Sequence, residues 1–236
     1  MPKYSLTRHV FACLQGEHVV FLDVRKDRYF ALEAAKTRGF GSFVHGWPDQ
    51  SHAPAAPEED AAAALAVLSE KGLICDYGGE PVCSPVPPVP PPADECVSSA
   101  FEERPRVSAP LFVRFLISAL TASFLLRFRP FDVAVRRVQE RNARHLPDEG
   151  VSNAAAMKQL IAQFAALRPY FFTAKDACLF EALALSEFLA KHGVFPRWVF
   201  GVQSRPFAAH CWLQVGSVVL NDTLDHVRRY APIMAV

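Results

Sequence analysis

The sequence predicts an α+β protein of two units joined by a proline-rich segment. Short alternating strands precede a helix in the first 80 residues, whereas four helices precede three strands in the residues after 108. Seven prolines lie between Pro81 and Pro92, where neither a helix nor a central strand can form. Separate runs of helices and strands are typical of α+β domains, and 236 residues suffice for two of them.

Residues 1–80 have the pattern of a small β-meander followed by helices. Tight turns separate three alternating segments, acidic residues open the last helix, and Gly72 ends it. No pair of groups poised for chemistry occurs here, so we expect this unit to bind rather than to catalyse. The predicted strands are Val10–Leu14, His18–Asp23 and Arg28–Leu32, and the predicted helices are Glu33 to about Val44 and Glu58–Lys71.

Residues 81–107 are predicted to be a linker, because a run of prolines favours an extended, semi-rigid polyproline spacer. A proline-rich ligand for an SH3-like module is the alternative interpretation. The predicted helices of the second unit, 108–236, are Ala109–Arg127, Pro130–Arg144, Ser152–Leu167 and Asp176–His192, and its predicted strands are Trp198–Val202, His210–Val215 and Val218–Asp222.

Composition and charge exclude several classes of protein. With 51% apolar and 21% charged residues, the chain has the profile of a packed globular protein. A net charge of +1 favours neither nucleic acid nor a membrane surface, although residues 1–80 carry 8 Lys/Arg against 11 Asp/Glu and residues 108–236 carry 15 against 9. The apolar stretch Leu111–Leu126 contains Arg114 and is shorter than the ~20 residues of a bilayer span, so we expect a soluble helix and no stable membrane insertion.

The cysteines indicate a reducing compartment. Six of them occur without a C-x-x-C pair, and the N-terminal sequence lacks the apolar region of a secretory signal. We therefore expect a cytoplasmic protein with free thiols.

Cys178 is a candidate nucleophile. Asp176 is a good N-cap, and the small and apolar residues that follow form one helical face up to the stop at Gly193. Cys178 then falls in the first turn, where free N–H groups and the helix dipole favour a thiolate. A cysteine that only packs is the plainer interpretation of this signal alone.

His210 and Asp222 are a candidate base and its orienting group. If the hairpin turn over 215–217 is centred on Gly216, residues whose numbers sum to 432 lie opposite each other, and His210 and Asp222 do so. A carboxylate opposite an imidazole can hold its tautomer, as in a Cys-His-Asp triad. A turn centre shifted by half a residue would still leave the two side chains as neighbours.

Cys211 is expected to be a buried structural thiol. Strand alternation points it away from His210, so the two cannot easily bind one metal ion. The other histidines form no spaced set in the sequence, so we expect no metal site and assign His226 no role.

Four segments in this order and spacing resemble the transglutaminase-like leader peptidase of lasso peptide biosynthesis. The resemblance is strong from about 172 to 225, and residues 1–80 resemble, through their order of strands and helices, the small winged-helix-like leader-recognition domain related to the pyrroloquinoline-quinone chaperone. The chain thus resembles a fused lasso B protein. The segments are 176–179 (DACL), 198–202 (WVFGV), 205–212 (RPFAAHCW) and 219–222 (VLND).

The resemblance implies a papain-like cysteine peptidase domain without a cofactor. Cys178 would be the nucleophile, His210 the general base and then acid, and Asp222 the residue that orients His210. The enzyme would cleave the leader from the core of a ribosomally made precursor and deliver the core to an asparagine-synthetase-like cyclase, which uses the ATP. Many members of the family have alanine where Cys211 stands and a basic residue near Glu181.

The third predicted strand offers a place for the leader. It precedes a helix rather than another strand, so an extended peptide could add to its open edge, with pockets towards the Glu58–Lys71 helix. The family binds leaders in this way. The residues expected to take part are Tyr29, Phe30, Ala31, Leu32 and Leu65.

Two other functions remain open from the sequence. An acyltransferase or transglutaminase on the same fold would resolve the thioester with an amine instead of water. A catalytically dead scaffold would only carry the leader peptide. The intact candidate triad favours an enzyme, and the attached recognition unit favours leader cleavage.

Overall fold

The computed structural model describes residues 2–48, 55–78, 89–96, 105–145, 154–170 and 178–236. By its internal contacts the chain divides into two compact units. The first consists of residues 1–87, 202–209 and 231–234, and the second of residues 88–201, 210–230 and 235–236. Helices and strands occur in both, which confirms the predicted mixed α+β class.

The described residues of the N-terminal region form two small sheets and one α-helix. One sheet is the antiparallel meander β2-β3-β4, and the other has the order β5-β1-β6. In chain order the elements are β1 (Tyr4–Leu6), β2 (Val10–Gln15), β3 (His18–Asp23), β4 (Arg28–Glu33), β5 (Val44–His45), α1 (Glu58–Glu70) and β6 (Ile74–Asp76).

The three predicted strands of this region are confirmed as β2, β3 and β4. Gly16, at φ +59°, takes the first position of the two-residue turn between β2 and β3. The carboxylate of Asp23 accepts hydrogen bonds from the backbone N–H groups of Arg25 and Lys26 at 3.0 and 3.1 Å, which closes the turn to β4.

The predicted helix from Glu33 to about Val44 is wrong. Two 3-10 turns, Ala34–Thr37 and Phe40–Ser42, occupy this stretch and lead into β5. Gly39 between them has φ +87°, a left-handed conformation that a right-handed helix cannot contain. The turns bury Phe40 in the core of the unit, beside Phe21, Trp47 and Leu68. The likeness to a winged helix stays a prediction.

The part of the chain from residue 89 onward is built on helices followed by a sheet. The sheet has the strand order β11-β8-β9-β10-β7. In chain order the elements are β7 (Asp94–Glu95), α2 (Ala109–Phe128), α3 (Phe131–Ala143), α4 (Ala154–Leu167), α5 (Cys178–Ala190), β8 (Arg197–Ser204), β9 (Phe207–Val215), β10 (Val218–Val219), α6 (Leu224–Val227) and β11 (Ala231–Ala235).

Helix α5 is the centre of the second unit. All residues from Ala182 to Leu189 are buried, as expected of a helix that is apolar on every side and surrounded by other elements. Helix α2 packs along it, and α4 contacts it as well. The one buried carboxylate of α5, Glu187, is held by the guanidinium groups of Arg137 and Arg141 on α3.

Part of the predicted linker belongs to the sheet. Strand β7 pairs in parallel with β10, and the N–H of Cys96 donates to the carbonyl of Val219 at 2.9 Å. The side chain of Gln214 also donates to the carbonyl of Pro90 at 2.7 Å. The prediction of a spacer throughout 81–107 is therefore wrong for 90–96, because short edge strands carry too few residues to show in a sequence pattern. Residues 79–88 lie outside the described part.

Helix α2 is longer than predicted. It has 20 residues and is, by length and composition alone, apolar enough to cross a membrane, with a third of its most apolar window buried. Its buried residues recur every three or four positions, which is the pattern of a helix that packs on one side.

Candidate active site

The structure places Cys178 at the first position of α5, as predicted from the sequence. Its side chain is half-buried, and its backbone N–H belongs to the group that has no acceptor within the helix. Asp176, the predicted N-cap, lies outside the described residues. The thiol therefore stands where a helix N-terminus favours negative charge on sulfur.

His210 and Asp222 are in direct contact. His210 lies on β9, Asp222 follows β10, and the Nε2 atom of the ring makes a short hydrogen bond to Oδ2 of the carboxylate. The ring is thereby oriented with its other nitrogen, Nδ1, free to face Cys178. Both side chains are largely buried, with 12% and 16% of their surface exposed.

The predicted hairpin register is wrong by half a residue. Val215 pairs with Val218, so the turn is the two-residue loop Gly216–Ser217 rather than a turn centred on Gly216. Beyond β10 the pairing with β9 is continued by a side chain, because Oδ1 of Asn221 accepts a hydrogen bond from the N–H of Leu213 at 2.8 Å. This bond brings the next residue, Asp222, back to the level of His210.

The thiol and the imidazole form an ion pair. Hydrogen bonds from the side chain of Cys211 and from His210, and the positive charge of His210, lower the pKa of Cys178 to about 4. Burial acts to lower the pKa of His210, but the hydrogen bonds to Asp222 and Cys178 outweigh it and raise the pKa to about 9. At neutral pH the pair is a thiolate and an imidazolium ion, the reactive form of a cysteine nucleophile.

Cys211 is part of the site, which corrects the expectation of a merely structural thiol. Its side chain and its backbone N–H both make hydrogen bonds to Cys178. That contact raises the pKa of Cys211 well above that of an ordinary thiol, so it stays a neutral donor. The alternation of side chains along a strand predicts that Cys211 and His210 point to opposite faces. It does not predict where the N-terminal end of α5 contacts β9.

His226 also belongs to the site, although the sequence pattern assigned it no role. It lies on the short helix α6, and its Nδ1 atom is 2.9 and 3.1 Å from the two oxygens of Asp222. The hydroxyl of Tyr230 is 3.4 Å from its Nε2 atom. The sequence signal for this contact was the spacing of four residues from Asp222 to His226 and again to Tyr230. Residues four apart lie next to each other where the chain makes a helical turn.

These contacts keep Asp222 ionised. Burial acts to raise the pKa of its carboxyl group, but hydrogen bonds from His210, His226 and the N–H of Thr223 outweigh burial and lower it. Among the described residues, His210, Asp222 and His226 are also a group whose side chains could hold a metal ion.

Gly201 on β8 allows the aromatic residues around the site to approach closely. A Cβ atom at this position would lie 2.8 Å from the ring of Trp212 and 2.8 Å from Cβ of Tyr230, closer than real side chains come. The ring centroids of Trp212 and Tyr230 lie 6.2 and 5.2 Å from that of His210. The sequence pattern WVFGV thus contains a glycine for reasons of packing.

Glu181 lies one turn after Cys178 on α5. Burial raises the pKa of its carboxyl group, and the negative charges of Asp222 and Cys178 act in the same direction. Nη1 of Arg168 donates to its Oε1 at 2.8 Å.

The residues predicted to bind the leader lie in the first unit. Phe30 and Leu32 on β4, with Leu65 on α1, are partly buried against the same core cluster. Tyr29 is half-buried opposite Leu22 of β3, and Ala31 is exposed. In the part of the chain that the structure describes, β4 has a strand partner on one side only.

The comparisons with known proteins agree with this site. A family model described as the transglutaminase-like superfamily matches residues 117–235, which is half of the chain and includes Cys178, His210 and Asp222. Neither a curated protein nor a solved structure matches significantly. The superfamily contains cysteine peptidases and acyltransferases, which typically use a Cys-His-Asp site. This chain belongs to the transglutaminase-like superfamily.

Proposed function

We propose that the protein is a cysteine peptidase that removes the leader from a lasso peptide precursor. The observation that carries the proposal is the ion pair of Cys178 and His210, with Asp222 hydrogen-bonded to the far side of the ring. The sequence motifs shared with lasso leader peptidases supply the substrate class. Membership in the transglutaminase-like superfamily supports the chemistry.

The proposed reaction passes through a thioester. The thiolate of Cys178 attacks the scissile carbonyl carbon, and the proton on Nδ1 of His210 goes to the leaving amine as the C–N bond breaks. His210 then takes a proton from water, which attacks the thioester and frees the carboxylic acid while the thiolate is restored. The N–H of Cys178, at the start of α5, donates to the oxyanion.

Recognition of the leader is assigned to the first unit. An extended peptide would hydrogen-bond to the edge of β4 and place alternate side chains towards Phe30, Leu32 and Leu65. This mode of binding requires backbone groups, which the strand edge supplies, and pockets for side chains, which the partly buried apolar residues beside that edge supply. Tyr29 and Ala31 would face the same peptide from the other side of the strand.

The released core would pass to a cyclase similar to asparagine synthetase, which spends ATP on the macrolactam bond. The peptidase itself requires no cofactor in this mechanism, and the reaction is assigned to the cytoplasm, where the thiol of Cys178 stays reduced.

The test uses a lasso precursor peptide, sought among the short open reading frames that neighbour the gene, and mass spectrometry of the products. Wild-type protein should yield leader and core whose masses sum to that of the precursor plus one water. Cys178→Ala should bind the precursor with unchanged affinity and leave it intact, and Cys75→Ala, which removes a thiol of the first unit, should cleave normally. Cleavage by Cys178→Ala would refute the assignment of the nucleophile.

The same experiment distinguishes an acyltransferase. With a primary amine added at increasing concentration, a peptidase continues to give the acid, whereas a transferase gives the amide of the leader. A protein that binds the precursor but produces neither product under any of these conditions would be the non-catalytic carrier.

A further inference from the structure

Asp222 contacts two histidine side chains, one more than the proposed catalytic triad requires. Oδ2 of Asp222 is shared by Nε2 of His210 and Nδ1 of His226, and the three atoms all lie within 4.8 Å of one another. Two imidazole nitrogens and a carboxylate oxygen are a donor set that zinc prefers. We propose that His210, Asp222 and His226 bind one zinc ion, and that this ion reversibly blocks the active site.

Both imidazole rings have to move away from the carboxylate to admit the ion. Zinc bonds of about 2.0–2.2 Å in a tetrahedral site separate the ligand atoms by roughly 3.3 Å. Nδ1 of His226 and Oδ2 of Asp222 are 2.9 Å apart, a few tenths of an ångström too close, and Nε2 of His210 lies closer still to the same oxygen. Water would complete the coordination as the fourth ligand.

The surroundings favour a cation that enters from solvent. The side chain of His226 is 41% exposed, whereas those of His210 and Asp222 are 12% and 16% exposed, so the site opens on the side of His226. The hydroxyl of Tyr230 next to Nε2 of His226 is the outer hydrogen-bond partner that metal-binding histidines usually have.

Binding of the ion would remove the acid function of His210. The ion replaces the hydrogen on Nε2 of His210, which is released to solvent as a proton. His226 gives up the hydrogen on Nδ1 and carries one on Nε2, next to Tyr230. His210 then keeps its remaining hydrogen on Nδ1 as a neutral, metal-bound ring, so it can no longer supply that proton to the leaving amine.

This arrangement differs from the general inhibition of cysteine enzymes by zinc, in which the thiolate is a ligand. Here Nδ1 of His210 faces Cys178 and Nε2 faces the ion, so Cys178 is not required for binding. Removal of the thiol and removal of His226 therefore have opposite expected results.

The binding test uses the full chain, zinc chloride and a chromophoric competing chelator. Wild type and Cys178→Ala should bind one zinc ion with the same affinity within about twofold, and His226→Gln should bind at least tenfold more weakly, since even the loss of an outer-sphere partner costs about 10- to 100-fold. His145→Gln, which changes an exposed histidine outside the cluster, is the matched control and should bind like wild type.

A second measurement needs no variant that could misfold. Cobalt added to the wild-type protein should give the visible bands of a four-coordinate site without the near-ultraviolet charge-transfer band of a cobalt–thiolate bond. Such a thiolate band, loss of binding in Cys178→Ala, or binding by His226→Gln as tight as in wild type would each overturn the proposal. Because both readouts measure the metal, they stand even where the peptidase proposal fails. Where it holds, zinc should stop cleavage and a chelator should restore it.

Discussion

At the level of single residues, the pairing of Cys178 with His210 sets the pH range in which the site can act. The two pKa values, about 4 and about 9, describe one coupled pair. Below the first value the thiolate is protonated and loses its nucleophilicity. Above the second value the imidazolium loses the proton that the leaving amine needs. The reactive form therefore spans the pH range between them.

Cys211 tests the hydrogen bond that acts on the nucleophile. Cys211→Ala removes a donor to the thiolate, so the pKa of Cys178 should rise by about one unit, the effect of a hydrogen bond to a charged group. Cys211→Ser keeps a donor and should restore most of the shift. The rate of alkylation of Cys178 against pH measures both. An unchanged profile in Cys211→Ala would mean that this thiol only packs, as the strand pattern first indicated.

Asp222 tests the orientation of the base. Asp222→Asn keeps the size of the side chain but can present an N–H to His210 and favour the wrong tautomer. Single-turnover cleavage should slow by about two to four orders of magnitude, since the corresponding change in serine proteases costs about 10⁴. Asp225→Asn, which changes an exposed carboxylate on α6 shortly after Asp222, is the control and should cleave like wild type. Equal cleavage rates in Asp222→Asn and Asp225→Asn would show that Asp222 does not take part in catalysis.

The three residues predicted for the site lie together in the structure, but the sequence pattern did not indicate their neighbours. Cys178 follows from the start of a helix, and His210 and Asp222 follow from the two sides of a hairpin. Cys211 was missed because its contact with Cys178 depends on where α5 meets β9. His226 was missed because α6 has only four residues and shows no periodicity.

At the level of secondary-structure elements, α3 is attached to α5 by a buried ion pair. Nε and Nη2 of Arg137 bind the two oxygens of Glu187 at 3.1 Å, and Nη1 of Arg141 binds Oε1 at 2.8 Å. The side chain of Glu187 is 3% exposed and that of Arg141 is 17% exposed. Burial acts to raise the pKa of Glu187, but the two guanidinium groups outweigh it and lower the pKa.

Glu187→Ala should therefore destabilise the protein strongly. It leaves the buried guanidinium of Arg141 without its counter-ion, and loss of one partner of a buried pair costs about 3–5 kcal/mol. Asp132→Ala, which breaks the solvent-exposed pair of Asp132 with Arg136 on α3, should cost less than about 1 kcal/mol. Urea unfolding of the two variants provides the comparison. Similar losses for both would show that the buried pair contributes no more than the surface pair.

Most of the longer elements could be predicted and the shortest could not, although the five-residue strand β11 was also missed. The strands β2 to β4 and the helices α1 to α5 have periodic patterns or clear stop signals such as Gly72 and Gly193. Strands β1, β5 and β7 have two or three residues each and are defined by distant partners. The 3-10 turns after β4 were predicted as a helix because the left-handed conformation of Gly39 is not visible in a hydrophobic pattern.

At the level of the whole molecule, the segment 93–96 tests where the second unit begins. The N–H groups of Ala93 and Cys96 donate to the carbonyls of Ser217 and Val219 at 2.8 and 2.9 Å. Hydrogen exchange at these amides should thus be slowed relative to the unstructured chain. Peptide-resolved mass spectrometry measures this, with the amides of the β9–β10 hairpin as the reference. Exchange at the rate of an unstructured chain would show that the segment 93–96 belongs to the linker instead.

The two units divide the proposed functions between them. Cys178, His210 and Asp222 all lie in the second unit, whereas the proposed leader site requires an accessible strand edge. In the described residues of the first unit, β4 has β3 as its one strand partner. Tethering the two raises the effective concentration of a bound precursor at the active site, to the millimolar range for short flexible linkers.

Cys178 is a thiolate at neutral pH because His210 and Cys211 stabilise it. Alkylation of Cys178 by iodoacetamide, followed by peptide mass spectrometry from pH 3 to pH 10, tests this without knowledge of the substrate. We expect a rate that rises with a pKa of about 4 and a marked upward shift of that pKa in His210→Ala. A rate that rises only near the ordinary thiol pKa of about 8.5, and that His210→Ala leaves unchanged, would contradict it.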